Sequence, residues 1–118
     1  MTKRIGVVKL NTLEEMQTAA FQIISFAGEA RSCYVEAIQI ARNGKMDEAK
    51  QKIEEGVQFY NEIHKVHASL IQREAAGEQL PFSLILMHAE DQMLTTETLK
   101  IMASEMIEMC AMIIEKKS

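Results

Sequence analysis

The strongest constraint on the fold is a helical spacing of apolar residues that continues from Asn11 to Asn43 without a proline. Apolar side chains three or four positions apart share one face of an α-helix, so this stretch predicts a long amphipathic helix. The residues of this stripe are Leu13, Met16, Ala20, Ile23, Ala27, Ala30, Tyr34, Ala37 and Ala41. The whole chain has one proline and five glycines in 118 residues, too few for the many tight turns of a sheet protein. We therefore predict an all-α fold.

Glycine-containing turns divide the chain into three predicted helices. The first ends before Gly44, since glycine commonly follows a helix C-terminus. The second is expected from Met46 to Ala76, and the third from about Phe82 to Glu115. Long helices joined by short loops pack as neighbours of alternating direction, which predicts an up-down-up bundle.

The start of the first helix is predicted from a local motif. Thr12 and Glu15 have the spacing of a capping box, in which each side chain binds a backbone N–H at a helix start. We therefore expect residues 1–10 to form a flexible N-terminal segment and residues 11–118 to form a single three-helix domain.

The third helix has more apolar side chains than one bundle can cover. Four successive apolar residues occur at Leu84 to Met87 and again at Cys110 to Ile113. Such runs place apolar groups on every side of a helix, including the side that faces away from its two neighbours. The chain is therefore expected to associate with itself through this helix.

Charge and hydropathy exclude several classes of function. The 13 basic and 17 acidic residues give a net charge of −4, which does not supply the basic surface that nucleic-acid binding requires. The longest uncharged stretch, Met16 to Gly28, is 13 residues long, whereas a membrane span needs ~20 apolar residues. Cys33 and Cys110 are interpreted as free thiols packed as small apolar side chains. We expect a cytoplasmic protein.

The histidines are the main candidates for chemistry, since the chain has no glycine-rich phosphate loop, no Cys-x-x-Cys and no serine with a suitably spaced base. His64 and His67 lie on the stripe of the second helix and are interpreted as packed structural residues. A structural metal site formed by His64, His67 and Asp91 is a weaker alternative. His88 differs, because it interrupts the most apolar part of the sequence and shares a helix face with Leu84 and Asp91. A neutral imidazole is a nucleophile that can accept a phosphoryl group.

Three blocks of sequence resemble a known family. Phe82 to Thr95 (FSLILMHAEDQMLT) resembles the signature of the lactose/cellobiose-type IIA component of the bacterial phosphoenolpyruvate-dependent sugar phosphotransferase system. Gly28 to Ser32 (GEARS) agrees with it, as do His64 to Ile71 and Glu74 to Gly77. The blocks are collinear, and the resemblance covers about residues 12–115.

The resemblance implies a phosphocarrier that forms a homotrimer of three-helix subunits. His88 would accept phosphate from the phosphocarrier protein HPr and pass it to a IIB protein or domain, for uptake of a disaccharide of the lactose/cellobiose class. Asp91 would lie on the threefold axis, where three carboxylates can share a divalent cation such as Mg²⁺. No organic cofactor is implied, and the membrane is involved only indirectly, through the sugar permease complex.

Two positions depart from the family pattern. The family commonly reads His-Ala-Gln-Asp-His, whereas this chain has Glu90 for the glutamine and Gln92 for the second histidine. Gln92 can donate a hydrogen bond to a phosphoryl oxygen but carries no charge, and Glu90 adds negative charge near the phosphate.

One alternative function stays open: a non-enzymatic helical adaptor that binds a partner helix. It is suggested by the turn from Gly44 to Ala49, and His88 has no role in it.

Overall fold

In a computed structural model the chain forms three long helices: α1 (Thr2–Arg42), α2 (Met46–Ala75) and α3 (Leu84–Lys117). The structure describes residues 2–81 and 83–117, with side chains from Thr12 onward. These residues contain no strand, and the predicted all-α class is confirmed. Phe82, at the predicted opening of the third helix, lies outside the described residues. The molecule measures 74 × 20 × 19 Å, since the helices lie side by side along one axis.

The predicted start of the first helix is wrong. The helix α1 begins at Thr2 and passes through Thr12 without a break, so residues 2–10 of the expected flexible segment are helical. A capping box stabilises a helix end by about 1 kcal/mol, and such a motif does not end a helix whose preceding residues can also be helical. Between Thr2 and Thr12 there is no proline and a single glycine, Gly6.

The predicted stripe of α1 forms the centre of the core. From Met16 onward every residue of that stripe is fully buried, and most of them are alanines, which allow the neighbouring helices to approach closely. Three clusters follow one another along the bundle. The first contains Met16 and Leu70, the second Ile23, Ile63 and Ala89, and the third Ala41, Ala49 and Ile107. Along this series, residue numbers rise in α1 and α3 and fall in α2.

The buried face of α2 lies to one side of the predicted stripe. Its buried residues are Ala49, Ile53, Gly56, Tyr60, Ile63 and Leu70, whereas His64, predicted to lie on the stripe, and Ile71, seven residues further along the helix, are exposed. Gly56 belongs to this buried face, because the absence of a side chain allows the Tyr34 ring of α1 to pack against the α2 backbone.

The turns and the third helix agree with the sequence pattern. Gly44 and Gly77 follow α1 and α2 with φ angles of 85° and 95°, a conformation that glycine adopts without strain. The predicted excess of apolar residues on α3 is also present. Its exposed large apolar residues are Leu84, Met87, Leu94, Ile101, Met102, Met106, Met109, Met112, Ile113 and Ile114. Among residues 2–81 and 83–117, no helix combines the length and apolar character needed to span a bilayer.

Candidate functional site

The beginning of α3 is fixed by the loop before it. Ser83 caps the helix, because its hydroxyl accepts a hydrogen bond from the Leu86 N–H at 3.4 Å and its carbonyl accepts one from the Met87 N–H at 3.1 Å. Arg73 at the end of α2 binds Glu78 in the loop at 2.6 Å and Glu15 of α1 at 2.7 Å. The Glu78 hydrogen bonds raise the pKa of Arg73, and Arg73 lowers the pKa of Glu78. The Arg73 contacts thus fasten the loop to α1 and α2, and the Ser83 cap begins the helix in whose second turn His88 lies.

His88 is exposed and lines an open groove. The groove has a volume of about 740 Å³ and is lined by Leu84, Ile85, Met87, His88 and Asp91. Leu84 and Met87 are 78% and 50% exposed, so the imidazole lies in an apolar surface that another protein can reach. The next residue, Ala89, is fully buried. It packs α3 against the rest of the bundle and thereby holds His88 facing outward.

Asp91 lies in the same groove, one turn beyond His88. Leu84, His88, Asp91 and Thr95 are all exposed, so the predicted common face is confirmed. The Asp91 carboxylate makes no hydrogen bond or ion pair with the residues that the structure describes. Among these residues, no three His, Cys, Asp or Glu side chains lie close enough together to bind a metal ion. Within one chain, a cation at Asp91 would therefore have a single carboxylate as its ligand.

The other two histidines are not part of a metal site. His67 is half-buried, and its Nε2 lies 3.3 Å from Glu90 Oε1 on α3. His64 is exposed and contacts the edge of the Tyr60 ring, with the ring centroids 4.9 Å apart. The structure does not bring His64, His67 and Asp91 together, because the partner of His67 is Glu90 and Asp91 lies about 100° further around α3. The predicted packed, hydrogen-bonded role fits His67, but His64 is less buried than expected.

Gln92, the other position that departs from the family pattern, is bound by α1. Arg31 Nη1 donates a hydrogen bond to Gln92 Oε1, and both side chains are half-buried. Arg31 forms no ion pair with an acidic side chain in the described part of the chain. The Gln92 backbone carbonyl accepts a 2.6 Å hydrogen bond from the buried Thr96 hydroxyl. Of these two hydrogen bonds, only the one from Arg31 joins α3 to another helix.

Sequence reasoning found the face of α3 but not the contacts across to the other helices. The common face follows from the spacing of residues 84, 88, 91 and 95 alone. The pairs Arg31–Gln92 and His67–Glu90 join residues 61 and 23 positions apart. Their only sequence signal is that each pair combines groups of complementary hydrogen-bonding type, which many other pairs in the chain also do.

Comparison with known proteins gives a consistent result. A model of the family described as "PTS system, Lactose/Cellobiose specific IIA subunit" matches residues 18–111. The lichenan-specific phosphotransferase enzyme IIA component of Bacillus subtilis is 38% identical over 104 residues, which is 88% of this chain and 94% of that protein. The lactose-specific EIIA component of Staphylococcus aureus is 38% identical over 95 residues, covering 80% of this chain and 92% of the relative. The crystal structure of the cellobiose-specific enzyme IIA from Bacillus anthracis is similar with a TM-score of 0.83 and 37% identity, and the match covers 86% of this chain and 93% of that one.

Proposed function

The chain belongs to the lactose/cellobiose-specific IIA subunits of the phosphotransferase system, and we propose that it carries a phosphoryl group on His88 between two protein partners. Members of this family are phosphotransferase components of sugar uptake systems. The observation that carries the proposal is the position of His88, an exposed imidazole in an apolar groove of α3 inside the matched residues. The comparisons give no support to the alternative of a helical adaptor.

The proposed donor is HPr and the proposed acceptor is a IIB protein or domain, in the cytoplasm. The exposed Leu84 and Met87 beside His88 provide an apolar contact surface for both. Docking on this surface would exclude water and align the two histidines, which is the main contribution a protein makes to phosphoryl transfer. The sugar, of the lactose/cellobiose class, is bound by the permease complex in the membrane and not by this chain.

The transfer itself needs little from the protein. The lone pair of one His88 ring nitrogen forms a bond to phosphorus while the bond between phosphorus and the donor's ring nitrogen breaks. The electron pair of the broken bond stays on the donor ring, and the proton on the other nitrogen of His88 stays in place. The reverse sequence passes the group to the acceptor.

We also propose an up-down-up bundle that assembles as a trimer through α3. The order of the three core clusters supports the up-down-up arrangement. Beyond His88 the exposed face of α3 alternates steps of three and four residues through Asp91, Thr95, Thr98, Met102, Glu105, Met109 and Met112, the spacing of a coiled-coil seam. In such a seam Asp91 of three copies would meet, and a divalent cation such as Mg²⁺ would balance their charge.

The test is phosphorylation of purified protein by phosphoenolpyruvate, enzyme I and HPr. Wild-type protein is expected to gain one acid-labile, base-stable phosphate per chain at His88. His88→Ala should remove the label without changing the helix content measured by circular dichroism, because His88 is exposed. His64→Ala is the matched control, since His64 is also an exposed histidine and should be labelled normally. A His88→Ala protein that still takes up phosphate would refute the assignment.

A further inference from the structure

The hydrogen bond between Arg31 and Gln92 has no role in the function described above. It joins α1 to the turn of α3 that follows His88, since Gln92 is four residues beyond His88. Side chains four residues apart on a helix are neighbours, with Cβ atoms ~6 Å apart. The side chain of Gln92, which Arg31 binds, is therefore a neighbour of His88 on α3.

The chemistry of the two groups fixes which end of the Gln92 amide faces Arg31. A guanidinium has only donors, so it binds the amide oxygen and turns the amide nitrogen away. The Gln92 Nε2 has no hydrogen-bond partner among the described residues. Its two N–H donors are thus available on the side of Gln92 that Arg31 does not occupy.

A phosphoryl group on His88 needs donors of this kind. Its oxygens are acceptors only and carry a charge of about −1.5 to −2. The guanidinium of Arg31 is half-buried and forms no ion pair with a described acidic side chain, so no salt bridge competes with its hydrogen bond to Gln92. The Gln92 amide, held by Arg31, thus offers the phosphoryl group two N–H donors.

We propose that Arg31 is a positioning residue for phosphoryl transfer, which holds the Gln92 amide so that its N–H groups bind the phosphoryl group on His88. The inference rests on the proposed function of His88. It predicts that Arg31 acts through Gln92, so that the effect of removing Arg31 depends on whether Gln92 is present.

The experiment measures two quantities for each variant: the rate at which HPr phosphorylates the protein and the lifetime of the phosphohistidine. Arg31→Met removes the donors and keeps the length of the side chain, and it should slow phosphorylation about tenfold, the effect of losing a hydrogen bond to a charged group. Arg31→Lys retains a donor and the charge and should stay within about threefold of wild type. Arg42→Met, an exposed arginine at the end of α1, is the control and should behave as wild type.

The double variant shows whether Arg31 acts through Gln92. Gln92→Met alone should be about as slow as Arg31→Met, and the combination should be no slower than either, as expected for two residues of one unit. If Arg31→Met slowed phosphorylation equally in the wild-type protein and in the Gln92→Met variant, the positioning role would be overturned. Normal phosphorylation and lifetime in Arg31→Met would also overturn it, even if the melting temperature were lower, because the role would then be structural only. If wild type and the Arg42→Met control also carry no label at His88, the proposed function fails, and this inference fails with it.

Discussion

At the scale of single residues, Tyr34 is the most informative side chain of the core. It is fully buried, and its hydroxyl has no hydrogen-bond partner among the described residues. Tyr60 is also buried, but its hydroxyl lies 3.4 Å from the Met93 carbonyl and from Glu97. Burial raises the pKa of both tyrosines from 10.0 to about 12, because the phenolate cannot be solvated inside the bundle.

This shift in pKa predicts how the protein responds to alkaline pH. Because the pKa of Tyr34 is higher in the folded state, the residue stabilises the fold fully below pH 10, which is its pKa in the unfolded chain. This contribution is lost as the pH rises to about 12, its pKa in the folded state. We expect the free energy of unfolding, measured by urea titration, to fall over this window. Tyr34→Phe should reduce the fall and, at neutral pH, raise stability by about 1 kcal/mol, since it removes an unpaired buried hydroxyl.

Tyr60→Phe is the matched comparison. It removes the same hydroxyl group from a tyrosine with the same direction of pKa shift, but here two hydrogen-bond partners lose their contact. We expect Tyr60→Phe to be neutral or destabilising at pH 7 while reducing the alkaline fall as Tyr34→Phe does. Equal stabilities of the two variants at pH 7 would show that the Tyr34 hydroxyl is not unpaired in solution.

At the scale of helices, the sequence predicts what depends on local periodicity. The stripe of α1, the turns at Gly44 and Gly77, and the outward face of α3 all follow from spacings within one helix. The start of α1 could not be predicted from the Thr12 motif, because the stability of the preceding residues also decides where a helix begins. The buried face of α2 could not be predicted either, since it depends on where the Tyr34 ring of another helix packs.

The packing of α1 on α2 at Gly56 can be tested directly. A Cβ atom there would lie 2.5 Å from Tyr34 Cε1 and 3.0 Å from Cys33 Cβ. Alanine favours a helix over glycine by about 1 kcal/mol, but overpacking a core typically costs about 1–3 kcal/mol. Gly56→Ala should therefore lower the melting temperature. Gly28→Ala is the matched control in α1, because a Cβ there meets nothing within 4 Å, and it should raise the melting temperature. A rise for both variants would mean that the helices separate easily at Gly56.

At the scale of the whole molecule, a single chain leaves one side of α3 without a partner. The bundle is long and thin, 74 × 20 × 19 Å, and α3 has exposed large apolar residues along its whole length. An exposed apolar surface of this extent is typical of a protein–protein interface. The candidate site lies at one end of the same face. The proposed assembly through α3 and the proposed docking at His88 would therefore use neighbouring parts of one surface.

This arrangement predicts that a charge placed far from His88 will break the assembly and leave the nucleophile intact. Met109 is 58% exposed and lies about six turns beyond His88, at ~3.6 residues per turn. In a three-copy seam, Met109→Glu would replace three apolar side chains with carboxylates next to the carboxylates of Glu105, which is strongly unfavourable. Light scattering should give about three times 13.4 kDa for wild type and a smaller mass for the variant. Ile71→Glu, at an exposed apolar residue of α2, should keep the wild-type mass. A wild-type protein with the mass of one chain, or a variant that associates as wild type does, would show that α3 is not the seam.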